Sequence, residues 1–253
     1  MSGSSINLKI DHDPLGTPAS EATVLKSKGG RPPTSVDTIL KALLFRLREG
    51  CSWRALSIFA PHTTIYTYWK RWCEQGLWDR ILQSLAEDAQ GQLWSIDSTS
   101  VKVHKHARGG PGGPEEQEIG NSRGGANTKI HALVEGKGRP LRLILTEGQR
   151  HDIVAAPDLV TGWTGRRILA DKAYDADSFR ELLQTFGLES CIPPKPNRKD
   201  PAAYHKGYYK HRHHVENFFG RIKEKRAIAT RYEKLATRFL GLVTLASIYD
   251  WLC

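Results

Sequence analysis

Residues Tyr209–Lys223 read YKHRHHVENFFGRIK. On an ideal helix, at about 100° per residue, Tyr209, Arg212, Glu216 and Lys223 fall within roughly 60° of one another. Val215, Phe218, Phe219 and Ile222 gather on the adjoining face. One stripe therefore offers an acid flanked by two cations and a phenol, and its neighbour is apolar and can dock on a core. Gly220 lies beside the polar stripe, where another backbone can come close. Taken alone, the stretch also fits a solvated charged helix held down by its Phe stripe.

Two upstream segments supply further acids. Asp97 sits in LWSIDSTSVKVH, a β-type run in which Asp97, Thr99, Val101 and Val103 share a face. Asp171 sits in RRILADKAYD, at the end of a short apolar run. Two carboxylates delivered by strands and one by a helix can meet at a single site. Carboxylate oxygens with open water positions suit Mg²⁺, and two such ions about 3.5–4 Å apart can drive phosphodiester cleavage.

The pattern Tyr-x2-Arg-x3-Glu-x6-Lys after two separated Asp residues resembles the DDE transposases of the insertion sequence 5 family. Tyr209, Arg212, Glu216 and Lys223 match that signature without a gap, and Asp97 in IDST and Asp171 in ADKAYD match its other acids. The similarity runs from about Gly29 to Leu252 and includes IATRYEK. Asn217 departs from it, standing where many relatives carry Arg.

The resemblance implies an α/β fold, a ribonuclease H-like catalytic core with an N-terminal helical DNA-binding region. It implies Asp97, Asp171 and Glu216 as catalytic and metal-holding acids, with two Mg²⁺ ions that Mn²⁺ can replace. Asp97 would touch both ions. Tyr209, Arg212 and Lys223 would face DNA near the cut. Read from position alone, Lys172 and Tyr174 directly follow Asp171 and can either touch DNA there or merely pack. The partners implied are the terminal inverted repeats and target DNA, engaged by a homodimer, in the bacterial cytoplasm at the nucleoid. Two other classes compete: a repeat-binding regulator that no longer cuts, which the intact acids disfavour, and a ribonuclease H-like nuclease without strand transfer.

Composition agrees with a polyanionic partner. The chain of 253 residues carries a formal charge of +10, an excess shared by ribosomal and membrane-surface proteins. Its four Cys form no C-x-x-C pair, which argues against zinc ribbons and disulfide frameworks. His205, His211, His213 and His214 cluster before Glu216, but at a spacing that suits no zinc finger. With neither a long apolar run nor a signal peptide, a soluble intracellular protein is expected.

Three regions follow along the chain. Residues 1–30 read as a flexible arm, ended by GGRPP, in which Arg31 can enter a narrow minor groove or the segment can serve as a rigid linker. Residues 31–90 read as helices: one capped by Ser35 or Thr34 and running to Glu49, a short one over 53–59, one from Thr64 to Glu74 capped by Thr63, and a linking helix over 77–90. The third resembles a helix-turn-helix reader with Lys70 and Arg71 on its basic edge; Trp53, Trp69 and Trp72 suit a helical core. Residues 91–253 read as the catalytic domain. Strands are expected near 93–104, 128–135, 141–147, 167–170 and 191–192, the first three as an antiparallel meander with a hairpin turn over 136–140. Helices are expected at 151–161, 176–186 and 235–252, the last nearly all apolar on one face. The stretch 108–125 reads as a surface loop whose GGPGG lacks the end of a phosphate loop. His151-Asp152 fits either an acid–base pair or a capped helix start.

Overall fold

The computed structural model describes residues 33–252. The arm and Arg31 lie outside the described residues. Helix α1, Val36–Glu49, starts where Ser35 Oγ accepts the backbone N–H of Thr38 and ends at Gly50. Gly50 adopts φ 64°, and a Cβ there would come within 2.9 Å of Arg226 Cβ, so only glycine allows this turn to pack so closely. A 3-10 turn over Trp53–Ile58 leads to α2, His62–Glu74. Helix α2 begins two residues before the expected Thr64, after Pro61 and without a side-chain cap. Proline presets the φ of the entry, so no Thr63 cap is needed. Helix α3, Leu77–Glu87, follows.

Strand β1 spans Leu93–Val103. The expected surface loop after it holds a helical turn, α4 (Gly113–Glu116), and a short strand, β2 (Gly120–Ser122). Strands β3 (Gly125–Val134) and β4 (Pro140–Glu147) form the expected hairpin. The expected helix over 151–161 is broken into a 3-10 turn, Asp152–Val154, and α5, Ala156–Val160. Then come β5 (Arg167–Leu169), α6 (Asp177–Thr185) and β6 (Glu189–Cys191). Helix α7, Lys206–Tyr209, is joined by a 3-10 turn, Lys210–Arg212, to α8, His213–Lys223. The ideal helix expected over 209–223 thus tightens for one turn at its start. Helix α9 (Arg226–Ala229), β7 (Thr230–Arg231) and α10 (Ala236–Leu252) complete the chain.

The sheet runs β4-β3-β1-β5-β6, with β2 extending the β4 edge and β7 pairing β1. Strands β1, β3 and β4 make the expected antiparallel meander, and β5 and β6 join parallel to β1. This is the order of a ribonuclease H-like core. Helices cover both faces. On one, Val101, Ile130 and Ala132 pack against α8, α10 and the N-terminal helices. On the other, Trp94, Ile96 and Leu133 pack against α5 and α6.

Helix α10 departs from the expected one-faced helix. Phe239, Leu242, Val243, Thr244 and Leu245 are all buried, so it is covered nearly all round. It lies between the sheet and α2–α3. A Cβ on Gly241 would approach Trp69 to 3.1 Å, so the two helices meet almost backbone to ring. Residues 36–87 therefore share one apolar core with the sheet, and the expected boundary at 90 separates element types within that core. No helix among the described residues is long and apolar enough to cross a membrane.

A buried ion pair fastens the two regions. Arg46 of α1 donates to Glu233 Oε1 at 2.6 Å, Trp53 Nε1 donates to the same oxygen at 3.1 Å, and the Arg46 guanidinium lies 4.2 Å from the Trp53 ring centre. Glu233→Ala is expected to cost about 3–5 kcal/mol, because it strands Arg46 in the core. Replacing both partners by apolar residues should cost less. Urea unfolding followed by tryptophan fluorescence and by circular dichroism should give one shared transition; separate transitions would show that the helices unfold independently.

Candidate active site

The outer edge of β1 is paired only at its ends. Strand β5 pairs residues 93–95 and β7 pairs residues 102–103. Between them the backbone of residues 96–101 has no strand neighbour on that side among the described residues. The segment 210–223 lies along this gap and contributes its side chains to it.

Asp97 sits at the start of the gap. Its Oδ1 accepts the N–H of Ser98 at 2.8 Å, and its Oδ2 accepts Arg212 Nη1 at 2.8 Å. Arg212 Nη2 donates to Glu216 Oε1, one helical turn further on. One guanidinium therefore bridges the acid on the strand and the acid on the helix; the common stripe accounts for its contact with Glu216, and the contact with Asp97 was not foreseen. Asp171 stands at the end of β5, where its Oδ1 accepts the N–H of Ala173 at 2.8 Å and caps a 3-10 turn over Lys172–Tyr174. The turn leaves Lys172 exposed and buries Tyr174, so Tyr174 packs inside and cannot meet DNA.

Electrostatics tie the acids together. Burial pushes the Asp97 pKa up and the nearby charge of Asp171 adds to it, while the Ser98 N–H and Arg212 pull the other way. Burial opposes the charge on Arg212, but Asp97 and Glu216 outweigh it and hold its pKa up. Burial likewise raises Tyr209, with Asp171 adding to the rise and Arg212 opposing it.

At the far end of the gap, Lys223 Nζ donates to Thr99 Oγ1 at 2.6 Å and to the Ser100 carbonyl at 3.0 Å. Burial lowers its pKa. Here Lys223 satisfies an edge carbonyl that no strand reaches. Thr99 and Asp97 both meet the 210–223 segment, and Val101 is buried against it, as the shared strand face requires.

The donor set is carboxylate oxygen only, which fits a hard divalent cation. Two of its acids already converge on one positive group, Arg212. With the guanidinium between them, no three His, Cys, Asp or Glu side chains among the described residues are drawn together closely enough to hold an ion. Asp152 is outside this set: its carboxylate is taken by Lys129 at 2.7 Å, and His151 makes no side-chain cap. His151-Asp152 opens the 3-10 turn, as the helix-start reading expected, but without a side-chain cap. His214 stacks on His211 and lies tilted against His213, with ring centres 5.9 and 4.2 Å apart.

The expected reader surface is on α2. Lys70 is exposed; Arg71 is half-buried, 5.8 Å from the Tyr68 ring centre. Trp53, Trp69, Trp72 and Trp78 interlock beneath it.

The sequence reading missed His131. It faces Ser98 across the β1–β3 register, fully buried, with Nε2 2.8 Å from Thr146 Oγ1. Its isolated position in HALV gives no local signal of a polar contact made across two strands. Burial pushes its pKa down to about 4, below the roughly 6.5 of an unfolded chain. The stability held by neutral His131 is therefore complete above about pH 6.5 and is lost as pH falls toward 4, by about 3 kcal/mol in all. Urea titrations from pH 7 to 4 should show this loss, and His131→Gln should remove that share of it.

Comparisons with known proteins bear on this arrangement. Residues 89–251, more than half of the chain, match the family described as "Transposase DDE domain". Residues 18–82 match one described as "Putative transposase of IS4/5 family". Over 127 residues, 49% of this chain and 98% of the relative, the sequence is 39% identical to "Putative transposase for insertion sequence element IS6501" of Brucella ovis. Over 85 residues, 33% of this chain and 68% of the relative, it is 38% identical to uncharacterized protein y4sN of Sinorhizobium fredii. Among solved structures, a piggyBac transposase synaptic complex with hairpin DNA aligns with a TM-score of 0.50 at 12% identity, covering 91% of this chain and 70% of that one. At that identity the likeness bears on the fold alone.

Proposed function

This chain belongs to the family of DDE transposases, and we propose that Asp97, Asp171 and Glu216 are the acids with which it cleaves DNA and joins strands. The observation that supports this reading is the Arg212 bridge between Asp97 and Glu216, beside Asp171, in the open edge of β1. Family members use divalent metal ions; for this chain we take Mg²⁺, two ions, with Mn²⁺ able to substitute. Held by these carboxylates, the metal would activate the attacking hydroxyl and stabilise the leaving oxygen in an in-line displacement at phosphorus.

The chain's own residues set the geometry. Strand β1 fixes Asp97, and its Ser98 N–H holds one carboxylate oxygen in place. The Ala173 N–H does the same for Asp171. Glu216 is the freest of the three, with a half-exposed side chain on α8. Arg212, Tyr209 and Lys172 flank the acids and would receive phosphates, the cations as charge-assisted donors. Lys223 anchors α8 to β1 and would reach DNA only by leaving Ser100.

Recognition of the terminal inverted repeats falls to α2. Its exposed Thr63, Thr67 and Lys70 form an outward face that a major groove can take. A homodimer on paired DNA ends would complete the assembly. Because the helices share the sheet's core, removing them would unfold the protein, and point changes are the proper test. Lys70→Ala should weaken binding across sequences and reduce the salt slope by about one.

Glu216→Gln is expected to abolish cleavage and strand transfer while leaving DNA binding nearly intact, since Gln keeps size and helix propensity but removes the ligand charge. Glu224→Gln, at the exposed end of α8, should cut almost normally. A dead Glu224→Gln with an active Glu216→Gln would overturn the assignment, as would cleavage that persists in EDTA.

A further inference from the structure

Arg212 is committed twice over. Nη1 is spent on Asp97 at 2.8 Å, Nη2 on Glu216, and its side chain is only 18% exposed. The proposed function asks Asp97 and Glu216 to give those oxygens to a divalent cation, and asks Arg212 to meet a phosphate. In the present arrangement neither can happen without releasing the other. A guanidinium between two carboxylates is the charge equivalent of a weakly bound ion, and it must be displaced before a metal takes the same oxygens.

We propose that Arg212 is a built-in counter-cation whose transfer from the two acids to a DNA phosphate couples DNA binding to metal loading. The inference rests on the reading of Asp97 and Glu216 as metal-holding acids. Local geometry allows the transfer. Arg212 lies in the 3-10 turn before α8, and Glu216 is its i+4 neighbour, so rotation about the Arg212 side chain breaks both bonds without moving a helix. The backbone of α8 is held separately, by Lys223 on β1 and by Val215, Phe218 and Ile222 in the core. Without DNA, Arg212 neutralises two clustered acids that would otherwise repel; with DNA, the phosphate takes the guanidinium and exposes their oxygens. By linkage, any factor by which DNA tightens metal binding must equal the factor by which metal tightens DNA binding.

The sign of this effect separates it from a purely positioning role. If Arg212 only held the acids in place, its removal would loosen the site and weaken metal binding. If it competes with the metal, its removal strengthens binding in the DNA-free protein. Free Mn²⁺ would be measured by electron paramagnetic resonance against the full-length protein, using wild type, Arg212→Ala, Arg212→Gln and Asp97→Asn. A non-cleaved duplex of about 30 base pairs, with blocked 3′ ends, serves as the phosphate source.

Arg212→Ala, and Arg212→Gln where the alanine variant folds poorly, should bind Mn²⁺ about ten-fold more tightly than wild type without DNA, within the roughly 5–150-fold span of ordinary site couplings. The duplex should tighten Mn²⁺ binding to wild type several-fold more than to either variant. Equal or weaker Mn²⁺ binding by a folded variant would overturn the proposal, as would an equal DNA effect in wild type and variants. Asp97→Asn reports on the underlying reading: it should abolish tight Mn²⁺ binding, and Mn²⁺ affinity unchanged by Asp97→Asn would mean that the metal site itself lies elsewhere.

Discussion

An interrupted strand edge governs this structure. Residues 96–101 of β1 expose backbone groups on the side where β5 has ended and β7 has not begun. Bare edge groups must find partners or water. Here the partners are side chains of the 210–223 segment, most directly Lys223 on the Ser100 carbonyl. Because a helix rather than a strand closes the gap, polar side chains from two elements face one another there. Asp97 is at this edge for that reason. Two residues earlier, Ser95 is paired to β5 and buried.

The same helix has a second duty. The apolar stripe of α8 rests on α10, and α10 rests on α2 and α3. The proposed reader face and the proposed cutting site thus belong to one packed unit, with Arg46–Glu233 pinning α1 to the chain just before α10. A rigid link of this kind sets the distance between the DNA that α2 touches and the bond that the acids address. No hinge between the two regions is implied by the packing.

Much of this was legible in sequence because it is local. The 3.6-residue spacing of Val215, Phe218, Phe219 and Ile222 fixes which side of α8 is buried, and sets Glu216 with Arg212 on the polar stripe beside it. Alternation along β1 puts Asp97, Thr99 and Val101 on the same side. What sequence could not give is set by contacts distant along the chain. The partner of Arg212 on β1, the burial of His131 beneath Ser98 and the all-round burial of α10 depend on which elements become neighbours. The start of α2 was misplaced for a local reason: Pro61 supplies the helix entry that a Thr63 cap was expected to provide. The breaks at 152–154 and 210–212 leave the hydrophobic pattern unchanged, so periodicity passes over them.

The cations named from sequence divide into two kinds once their partners are known. Lys172 is exposed without an ion-pair partner within 4.0 Å among the described residues, and Lys70 has only a loose contact to Glu74 at 3.9 Å. Such charges act at long range and in a salt-dependent way, raising the local concentration of a polyanion. Arg212 and Lys223 are half-buried and engaged inside the fold. Arg212 adds little to the distant field, since Asp97 and Glu216 offset it at contact distance, whereas Lys223 is held by the neutral oxygens of Thr99 and Ser100 and keeps its charge. The influence of Arg212 is confined to the few ångströms around the acids, where burial makes a change of partner energetically significant. The formal charge of +10 counts all of these cations alike, but Arg212 is locally neutralised while Lys70 and Lys172 stand on the surface.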